Sequence, residues 1–372
     1  MIWHRVLGQQ RVKLTLLSAL RSDRLPHAYL FYGDEGVGKD AMALELAKVL
    51  HCEKGGDEAC GTCLSCTRLD VMQHPDVQLI TALPLGKGEI KGDPPLSKLS
   101  QDDLSAVREE YRNKGQNPYH RISIPKANTI KINSVRELRR EATMTAFGGR
   151  KRVFIVSRAD EMNDEASNAL LKTLEEPSGD CAIILTTTSR ESLLSTIVSR
   201  CQQVRFDPLT EEDIQSGLTE RNGVEANRAA LIARLANGSY QRAVALLDAD
   251  VFEERAFVVS FIRNALSGNA VKVIGDVETI AGWKDRDRVV RFLMLVLVWF
   301  RDALVLSRGG AVINADQQED LRRFVTRNPG ADLVNALTVT ERAISLVNRN
   351  TYIKLVLFFL ATNLHSILPR TR

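Results

Sequence analysis

Four of the six cysteines lie close together in the sequence. Cys52, Cys60, Cys63 and Cys66 follow the pattern C-x7-C-x2-C-x2-C. Two-residue spacing lets neighbouring thiolates turn towards one cation, and four sulfur ligands complete the tetrahedral coordination of Zn²⁺. Because such a site has no open position for water, the pattern predicts a structural zinc module and not a catalytic one.

Other interpretations of these thiols remain open. Two disulfide bonds would also use four cysteines, although a reducing cytoplasm disfavours them. His74 is near enough in the sequence to compete as a ligand, but four cysteines suffice, so we interpret it as a loop histidine. Cys181 and Cys201 lie elsewhere and need no metal. The ligand pattern favours zinc without proving which metal binds.

The segment GDEGVGKD approaches the phosphate-binding pattern G-x-x-x-x-G-K-[ST]. It holds Gly33, Gly36, Gly38 and Lys39 between an apolar run and a helical segment, as that pattern requires. The last position needs a hydroxyl that ligates magnesium, and Asp40 stands there instead. A carboxylate opposes a magnesium triphosphate, although backbone amides could still hold an anion. We expect a degenerate phosphate loop and leave open whether it binds ATP or ADP.

ATP hydrolysis also needs an acid at the end of a second strand, where it helps to hold magnesium. The strand-like segment RVFIVS ends instead in Ser157, which Arg158 follows. Asp160 and Glu161 come a few residues later, and we interpret them as solvated acids. Two separate parts of an ATPase site are therefore missing from the sequence.

The bulk composition is that of a soluble globular protein. The 372 residues are enough for two or three domains, with 44% hydrophobic and 26% charged residues. No apolar run reaches the length of about eighteen residues that a membrane span needs. The net charge of +4 forms no basic stripe, so charge alone does not favour DNA binding. The start of the chain lacks the pattern of a secretory signal, and we expect a cytoplasmic location.

Strand and helix patterns alternate in the first part of the chain, which indicates an α/β fold. The predicted strands are 27–32, 76–81, 152–157 and 182–188. Segments 41–50 and 164–177 have helical spacing, and Pro177 is expected to end the second of these helices. The runs at 152–157 and 182–188 are continuous enough to be central strands of a parallel sheet.

Residues 84–125 interrupt this alternation with glycines, prolines and mixed charges. We interpret them as an exposed, solvated insertion with one helical piece near DLSAVREEYRNK. Ser134 and Glu137 predict a capping box that opens a helix, and Thr210 and Asp213 predict a second box. The second box begins a region with no strand pattern, which we expect to be all helical.

In combination these segments resemble bacterial clamp-loader subunits of the AAA+ class. VLGQ, HAYLFYGDEGVGK, the four cysteines, HPD, NALLKTLEEP and TIVSRC occur in the order that this family has. The resemblance implies an α/β P-loop AAA+ domain with a parallel sheet over 1–208, which carries the zinc module (52–66). A small helical lid over 209–250 and an all-α collar over 251–372 would follow, and the collar would join a five-subunit ring.

The resemblance also implies roles for single residues. Arg200 of the SRC motif corresponds to an arginine finger that reaches the γ-phosphate held by an adjacent subunit. Thr187 or Thr188 stands at the first sensor position. Gln241 stands where the second sensor has an arginine, with Arg242 beside it. With the changes in the phosphate loop and second strand, this resembles the subunit type that does not hydrolyse ATP and completes its neighbour's site.

The implied partners are gamma or tau ATPase subunits and a delta subunit within the DNA polymerase III holoenzyme. The sliding clamp and primer-template DNA would be reached through this hetero-oligomer, with no membrane involved and no intrinsic ATPase. Two alternatives stay open. One is a catalytic gamma-type ATPase in which Asp40 and either Asp160 or Glu161 act from unusual positions. The other is a zinc-containing DNA-binding adaptor outside a ring.

Overall fold

The computed structural model describes residues 3–22, 24–147, 151–176, 180–247, 251–310, 312, 317–348 and 351–368. These residues form two compact units. The first unit extends to Ala226 and includes Asn237–Arg242, and the second comprises Asn227–Ala236 and the residues from Ala243 onwards. Among the residues described, no helix has the length and apolar character needed to cross a membrane.

The part of the first unit that is described contains five parallel strands in one sheet. They are β1 (Ala28–Tyr32), β2 (Val77–Ile80), β3 (Arg152–Val156), β4 (Cys181–Thr187) and β5 (Gln202–Arg205). The order is β2-β3-β4-β1-β5. Strands β3 and β4 are almost wholly buried, as expected when a parallel sheet is covered on both faces. The four predicted strands are confirmed, whereas β5, short and largely exposed, was not predicted.

Helices surround this sheet. They are α1 (Gln10–Arg21), α2 (Lys39–His51), α3 (Leu64–Asp70), α4 (Gln101–Gln116), α5 (Ile132–Ala142), α6 (Asp164–Glu175), α7 (Ser195–Arg200) and α8 (Glu211–Asn222). The predicted helices at 41–50 and 164–177 correspond to α2 and α6. Pro177, expected to end the second of these, lies outside the described residues.

The predicted capping box of Ser134 and Glu137 is wrong. Helix α5 begins at Ile132, so Ser134 lies inside its first turn and is buried. The chain just before the helix is held by an ion pair of 2.6 Å between Lys131 and Glu89. The helix thus begins two residues before the predicted cap at Ser134, next to this contact with a distant segment.

The second predicted box is confirmed. The amide of Asp213 donates to Thr210 Oγ1 at 3.1 Å, and the amide of Thr210 donates to Asp213 Oδ2 at 3.4 Å. Both bonds satisfy amides that would otherwise be unpaired at the start of α8. The helical region after β5 therefore begins where its sequence signature lies.

The insertion over 84–125 is not a solvated loop throughout. Its second half contains α4, and Ser100 caps that helix by accepting a hydrogen bond from the amide of Asp103 at 3.2 Å. A small apolar core joins this segment, formed by Leu83, Leu99, Val107 and Ile124. The backbone of Gly115 lies so near the carbonyl of Asp70 that no larger residue would fit. The predicted helical piece near DLSAVREEYRNK is therefore confirmed as α4. The solvated-loop interpretation is wrong only for the parts of the insertion that join this core or pack against other segments.

All of the regular secondary structure described in the second unit is helical. Its helices are α11 (Val251–Ser267), α12 (Ala270–Gly282), α13 (Arg286–Ser307), α14 (Gln318–Arg327), α15 (Leu333–Asn348) and α16 (Ile353–Ile367). Helices α9 (Ala226–Leu235) and α10 (Tyr240–Ala245) contribute residues to both units. The predicted α/β domain with a parallel sheet, followed by helical regions, is confirmed. The separation of a lid over 209–250 from a collar over 251–372 stays a prediction.

Candidate functional site

The degenerate phosphate loop lies at the carboxyl ends of three neighbouring strands. Strand β1 leads into the loop, and α2 begins at its lysine. Strand β3 ends directly before Ser157, and Thr186 lies near the end of β4. Because parallel strands end at the same edge of a sheet, the order β3-β4-β1 brings these two hydroxyls beside the loop.

Asp40 is the centre of a largely buried polar network at this edge, with 21% of its side chain exposed. Its Oδ2 accepts a hydrogen bond from Ser157 Oγ at 2.8 Å, and its Oδ1 accepts one from Thr186 Oγ1 at 2.7 Å. The ammonium of Lys114 lies 2.8 Å from the same Oδ2, and only 3% of the lysine side chain is exposed. Burial raises the pKa of Asp40, but Lys114, Thr186 and Ser157 outweigh it and hold that pKa at about 2. The carboxylate is therefore charged at neutral pH and paired within the chain.

Sequence reasoning missed Thr186 and Lys114. It named Thr187 and Thr188, but Thr187 Oγ1 donates to Asp160 Oδ1 at 2.7 Å and Thr188 is exposed. Successive side chains of a strand point to opposite faces, so Thr186 and Thr187 cannot both face the loop. This two-residue repeat could have shown that only one of the two faces the loop, without showing which one. No local pattern points to Lys114.

Asp160 and Glu161 are not the solvated acids that we expected. Asp160 accepts the hydrogen bond from Thr187, and Glu161 Oε1 lies 2.8 Å from Arg158 Nη2. Burial raises the pKa of Glu161, and the charge of Arg158 opposes that shift. A short helical turn over Ala159–Glu161 places these two partly buried side chains near the end of β4. Both acids already have partners.

The lysine of the phosphate loop is bound by the loop itself. Lys39 Nζ donates to the carbonyl oxygens of Gly33 at 2.8 Å and Asp34 at 2.5 Å. Burial lowers the pKa of Lys39. Gly36 and Gly38 have φ angles of 78° and 102°, which strain any residue with a Cβ. The glycines thus keep the tight strand-to-helix turn while the lysine is engaged internally.

The residues at the second sensor position contact the other side of the loop. The amide of Tyr240 donates to the carbonyl of Gly36 at 3.1 Å. Gln241 Nε2 donates to the carbonyl of Tyr119, in the insertion, at 2.8 Å. Burial lowers the pKa of Arg242, and the charges of Glu35 and Asp34 oppose that shift. Gln241 is therefore joined to the insertion, whereas Arg242 is in the field of the acids of the loop.

Arg200 is the last residue of α7. Its Nη2 lies 2.7 Å from Glu175 Oε1 at the end of α6, and its Nη1 donates to the carbonyl of Thr196 at 2.9 Å. One third of the side chain is exposed. Among the described residues, these hydrogen-bond and ion-pair partners belong to α6 and α7 and not to the phosphate loop. The predicted arginine finger and the predicted loop are thus engaged separately.

The structure brings the four clustered cysteines together. The sulfurs of Cys52, Cys60, Cys63 and Cys66 all lie within 4.8 Å of one another, and none forms a disulfide. Backbone amides of Cys60 and Cys63 donate to the sulfurs of Cys52 and Cys60, each at 3.3 Å. Amide and hydroxyl donors lower the pKa of Cys60, whereas burial raises that of Cys66. Zinc–sulfur bonds of about 2.3 Å require such close sulfurs, so the group fits one thiophilic cation.

His74 belongs to a different cluster. Ligand atoms of His51, His74 and Asp76 lie within 4.8 Å of one another. The Nδ1 of His74 accepts a hydrogen bond from the amide of Asp76 at 3.2 Å. Asp76 Oδ1 also accepts from the amide of Phe147 at 2.8 Å and faces Arg152 Nε at 3.7 Å. Because this carboxylate anchors two other segments, we interpret the cluster as structural.

Comparison with known proteins identifies relatives of the chain. The sequence profile of the family described as DNA polymerase III, delta subunit, matches residues 8–210, more than half of the chain. The chain is 29% identical over 351 residues to the DNA polymerase III subunit delta' of Bacillus subtilis (strain 168), covering 93% of each protein. The resemblance to a clamp-loader subunit is therefore confirmed, whereas the absence of ATP hydrolysis stays a prediction.

The ATPase-type subunits are also similar. The chain is 30% identical over 366 residues to the DNA polymerase III subunit tau of Bacillus subtilis, covering 91% of this chain and 57% of tau. It therefore spans only about half of that relative. A solved gamma subunit-related protein from Thermotoga maritima matches with 14% identity and a TM-score of 0.40, covering 95% of this chain and 99% of the other.

Replacement of Asp40 by asparagine should destabilise the first unit. Asp40→Asn leaves the ammonium of Lys114 buried without its counter-charge, which should cost about 2–4 kcal/mol of unfolding free energy at pH 7. A carboxylate whose folded pKa is depressed stabilises the fold above its unfolded pKa and loses that effect as the pH falls. The gap between wild type and variant should therefore be constant above about pH 5 and narrow from pH 4 towards pH 2.

Hydrogen exchange of peptides covering the loop and α2 would measure this difference. Glu109→Gln, at an exposed position of α4, is the matched control and should leave exchange unchanged. An Asp40→Asn variant with wild-type protection at pH 7 would contradict the network described above.

Proposed function

The chain belongs to the DNA polymerase III delta subunit family, and we propose that it is a delta-prime-like subunit of the bacterial clamp loader that does not hydrolyse ATP. The observation that carries this proposal is the neutralised carboxylate of Asp40 at the position where the loop would hold magnesium. The partners would be gamma or tau ATPases and a delta subunit, as relatives named delta' and tau suggest. The sliding clamp and primer-template DNA would be reached through this cytoplasmic complex.

The state of the phosphate loop supports the absence of turnover. Magnesium in a P-loop site needs ligand oxygens from the residue after the lysine and from the second strand. Here Asp40 uses both oxygens for internal partners, and Ser157 donates its hydroxyl to Asp40. The ammonium of Lys39, which would contact phosphate oxygens, is bonded to loop carbonyls. Magnesium would have to displace the partners of Asp40, and phosphate would have to displace the carbonyl oxygens bonded to Lys39.

A catalytic ATPase of the gamma or tau type is the rival candidate, because the chain is 30% identical to such a subunit. That role would require Asp160 or Glu161 to act in place of the missing acid after β3. Their bonds to Thr187 and Arg158 argue against it. A DNA-binding adaptor outside a ring has no comparable support, since the relatives are named as polymerase III subunits.

The purified chain should show no magnesium-dependent ATP turnover by itself. The physical reason is that the loop offers no free ligand oxygen at Asp40 and no free ammonium at Lys39. Phosphate release measured at saturating magnesium and ATP would test this. Turnover at the usual rates of about 1 per second or more would favour the tau-like rival.

We further propose that Arg200 acts in trans on ATP held by a neighbouring subunit. A guanidinium is permanently charged and can stabilise the charge that develops on transferring phosphate oxygens. Arg200 is at the end of α7 and half-buried, so a partner could reach it. Its ion pair with Glu175 is partly solvated and contributes little free energy. Replacing Glu175 with a phosphate group would therefore cost little.

Removal of this guanidinium should slow hydrolysis at one neighbouring site. Arg200→Ala in the reconstituted complex should lower turnover at that site by about 10³-fold or more, because the charge on the transferred phosphate loses its counter-charge. ATP turnover of the complex measures this, with Arg205→Ala as a control at an exposed arginine of β5. An unchanged rate in the Arg200→Ala complex, with assembly intact, would remove the proposed role.

We also propose that the four cysteines hold structural zinc. The sulfurs are close enough for one tetrahedral ion, and zinc would be held by Cys52, Cys60, Cys63 and Cys66 with no position left for water. Bound zinc supplies a cross-link between the end of α2 and the start of α3. The backbone amides that donate to sulfur would stabilise the thiolate form of the ligands.

The chain should bind one zinc ion. Cys63→Ser should lose the metal and reduce hydrogen-exchange protection over α3, because the loop before it is no longer cross-linked. Metal content and thiolate-to-cobalt absorption after cobalt substitution would report the ligands. Cys181→Ala is the control: it alters a buried cysteine of β4 but should keep one metal per chain. Full zinc content in Cys63→Ser would contradict the assignment.

A further inference from the structure

The lysine that neutralises Asp40 comes from the insertion. Lys114 lies in the last turn of α4, far from the loop in sequence, and its Nζ meets the same Asp40 oxygen as Ser157 Oγ. In a P-loop enzyme, the side chains at these two loop and strand positions face the magnesium ion. The ammonium of Lys114 therefore contacts the oxygen that would be directed at the cation. The positive charge of Lys114 therefore lies next to the position that magnesium would occupy.

Tyr119 joins the loop on its other side. A Cβ at Gly38 would lie 2.8 Å from the Tyr119 hydroxyl, so the phenol directly abuts the loop. The hydroxyl accepts a hydrogen bond from the amide of Leu7 at 2.9 Å, and the Tyr119 carbonyl accepts one from Gln241 at 2.8 Å. Its ring packs edge-on against Tyr240 with centroids 4.9 Å apart. The side chain is buried among the three segments that converge on the loop.

The turn between these two residues is fixed by its own bonds. Lys114 Nζ also donates to the carbonyl of His120 at 2.8 Å, and the amide of Tyr119 donates to Asn117 Oδ1 at 3.0 Å. Arg5 donates to the carbonyl of Gly115 at 2.6 Å. The segment is thus held both internally and by the start of the chain, as an ordered part of the site.

We propose that residues 114–121, named here the plug segment, are a built-in occupant of the phosphate-loop site and keep nucleotide out of it. Lys114 replaces the divalent cation electrostatically, and Tyr119 fills the space between the loop, Leu7 and Gln241. The inference rests on the proposed function, in which this subunit does not turn over ATP. It adds that the site is filled from within and so excludes binding, not only hydrolysis.

Titration of the full chain with magnesium and fluorescently labelled ATP tests the plug segment. Wild type and Asp40→Thr should show no saturable binding below about 1 mM, because both retain Lys114 and Tyr119. The triple variant Asp40→Thr, Lys114→Met, Tyr119→Ala restores the loop hydroxyl and removes the plug contacts. It should bind at least about tenfold more tightly.

Each other outcome of this titration overturns the proposal. Saturable submillimolar binding by wild type would show that the plug segment does not exclude nucleotide. Binding by Asp40→Thr equal to that of the triple variant would assign the exclusion to the loop alone. A folded triple variant that binds no better than wild type would also overturn it. Asp40→Thr combined with Lys91→Met, an exposed lysine of the same insertion, is the matched control and should not gain binding.

If the triple variant does not fold, a second measurement tests the central ion pair on which the proposal depends. Urea unfolding of Asp40→Asn, Lys114→Met and the double variant forms a cycle around the central ion pair. The double variant should recover most of the loss in midpoint that each single change causes, since no unpaired charge is left. Additive losses would overturn the proposal. Both experiments use the chain alone, so their failure is separate from failure of the Arg200 test in the complex.

Discussion

The largely buried carboxylate of Asp40 at the start of α2 must be neutralised, and this requirement joins three distant segments of the first unit. Removing an ionised carboxylate from water costs several kcal/mol, which only close partners of opposite charge or good hydrogen bonds offset. The first turn of α2 offers Asp40 a favourable helix dipole, but its field is modest. Ser157, Thr186 and Lys114 provide the remaining compensation. Any change to one of these groups affects the other three.

These partners come from segments that are distant in sequence and meet through the topology of the sheet. The order β3-β4-β1 places the ends of β3 and β4 next to the loop, which delivers two hydroxyl groups. Lys114 is positioned by helix packing and not by the sheet. Helix α4 packs against α3, and Gly115 lies close to the carbonyl of Asp70. The polar composition of the insertion led us to expect it in solvent. It is instead part of the site.

The features that the sequence predicted are those that neighbouring residues specify. Apolar runs predicted four strands, the spacing of cysteines predicted their cluster, and Thr210 with Asp213 predicted the start of α8. The errors arose where distant contacts decide the outcome. Helix α5 begins before Ser134, next to the Lys131–Glu89 ion pair. Lys114 could not be identified as a partner of Asp40, because no periodicity links residues so far apart.

The ion pairs of Lys114 with Asp40 and of Arg200 with Glu175 differ in burial. This difference is the physical basis for the proposed role of Arg200 in trans. The pair of Lys114 with Asp40 is enclosed, so breaking it would leave a buried charge uncompensated. The pair of Arg200 with Glu175 is partly solvated, and water can replace either partner at little cost. Rearrangement is therefore easier at Arg200 than at the loop. In the proposed role, the subunit would offer Arg200 to a neighbour's nucleotide without depending on a nucleotide of its own.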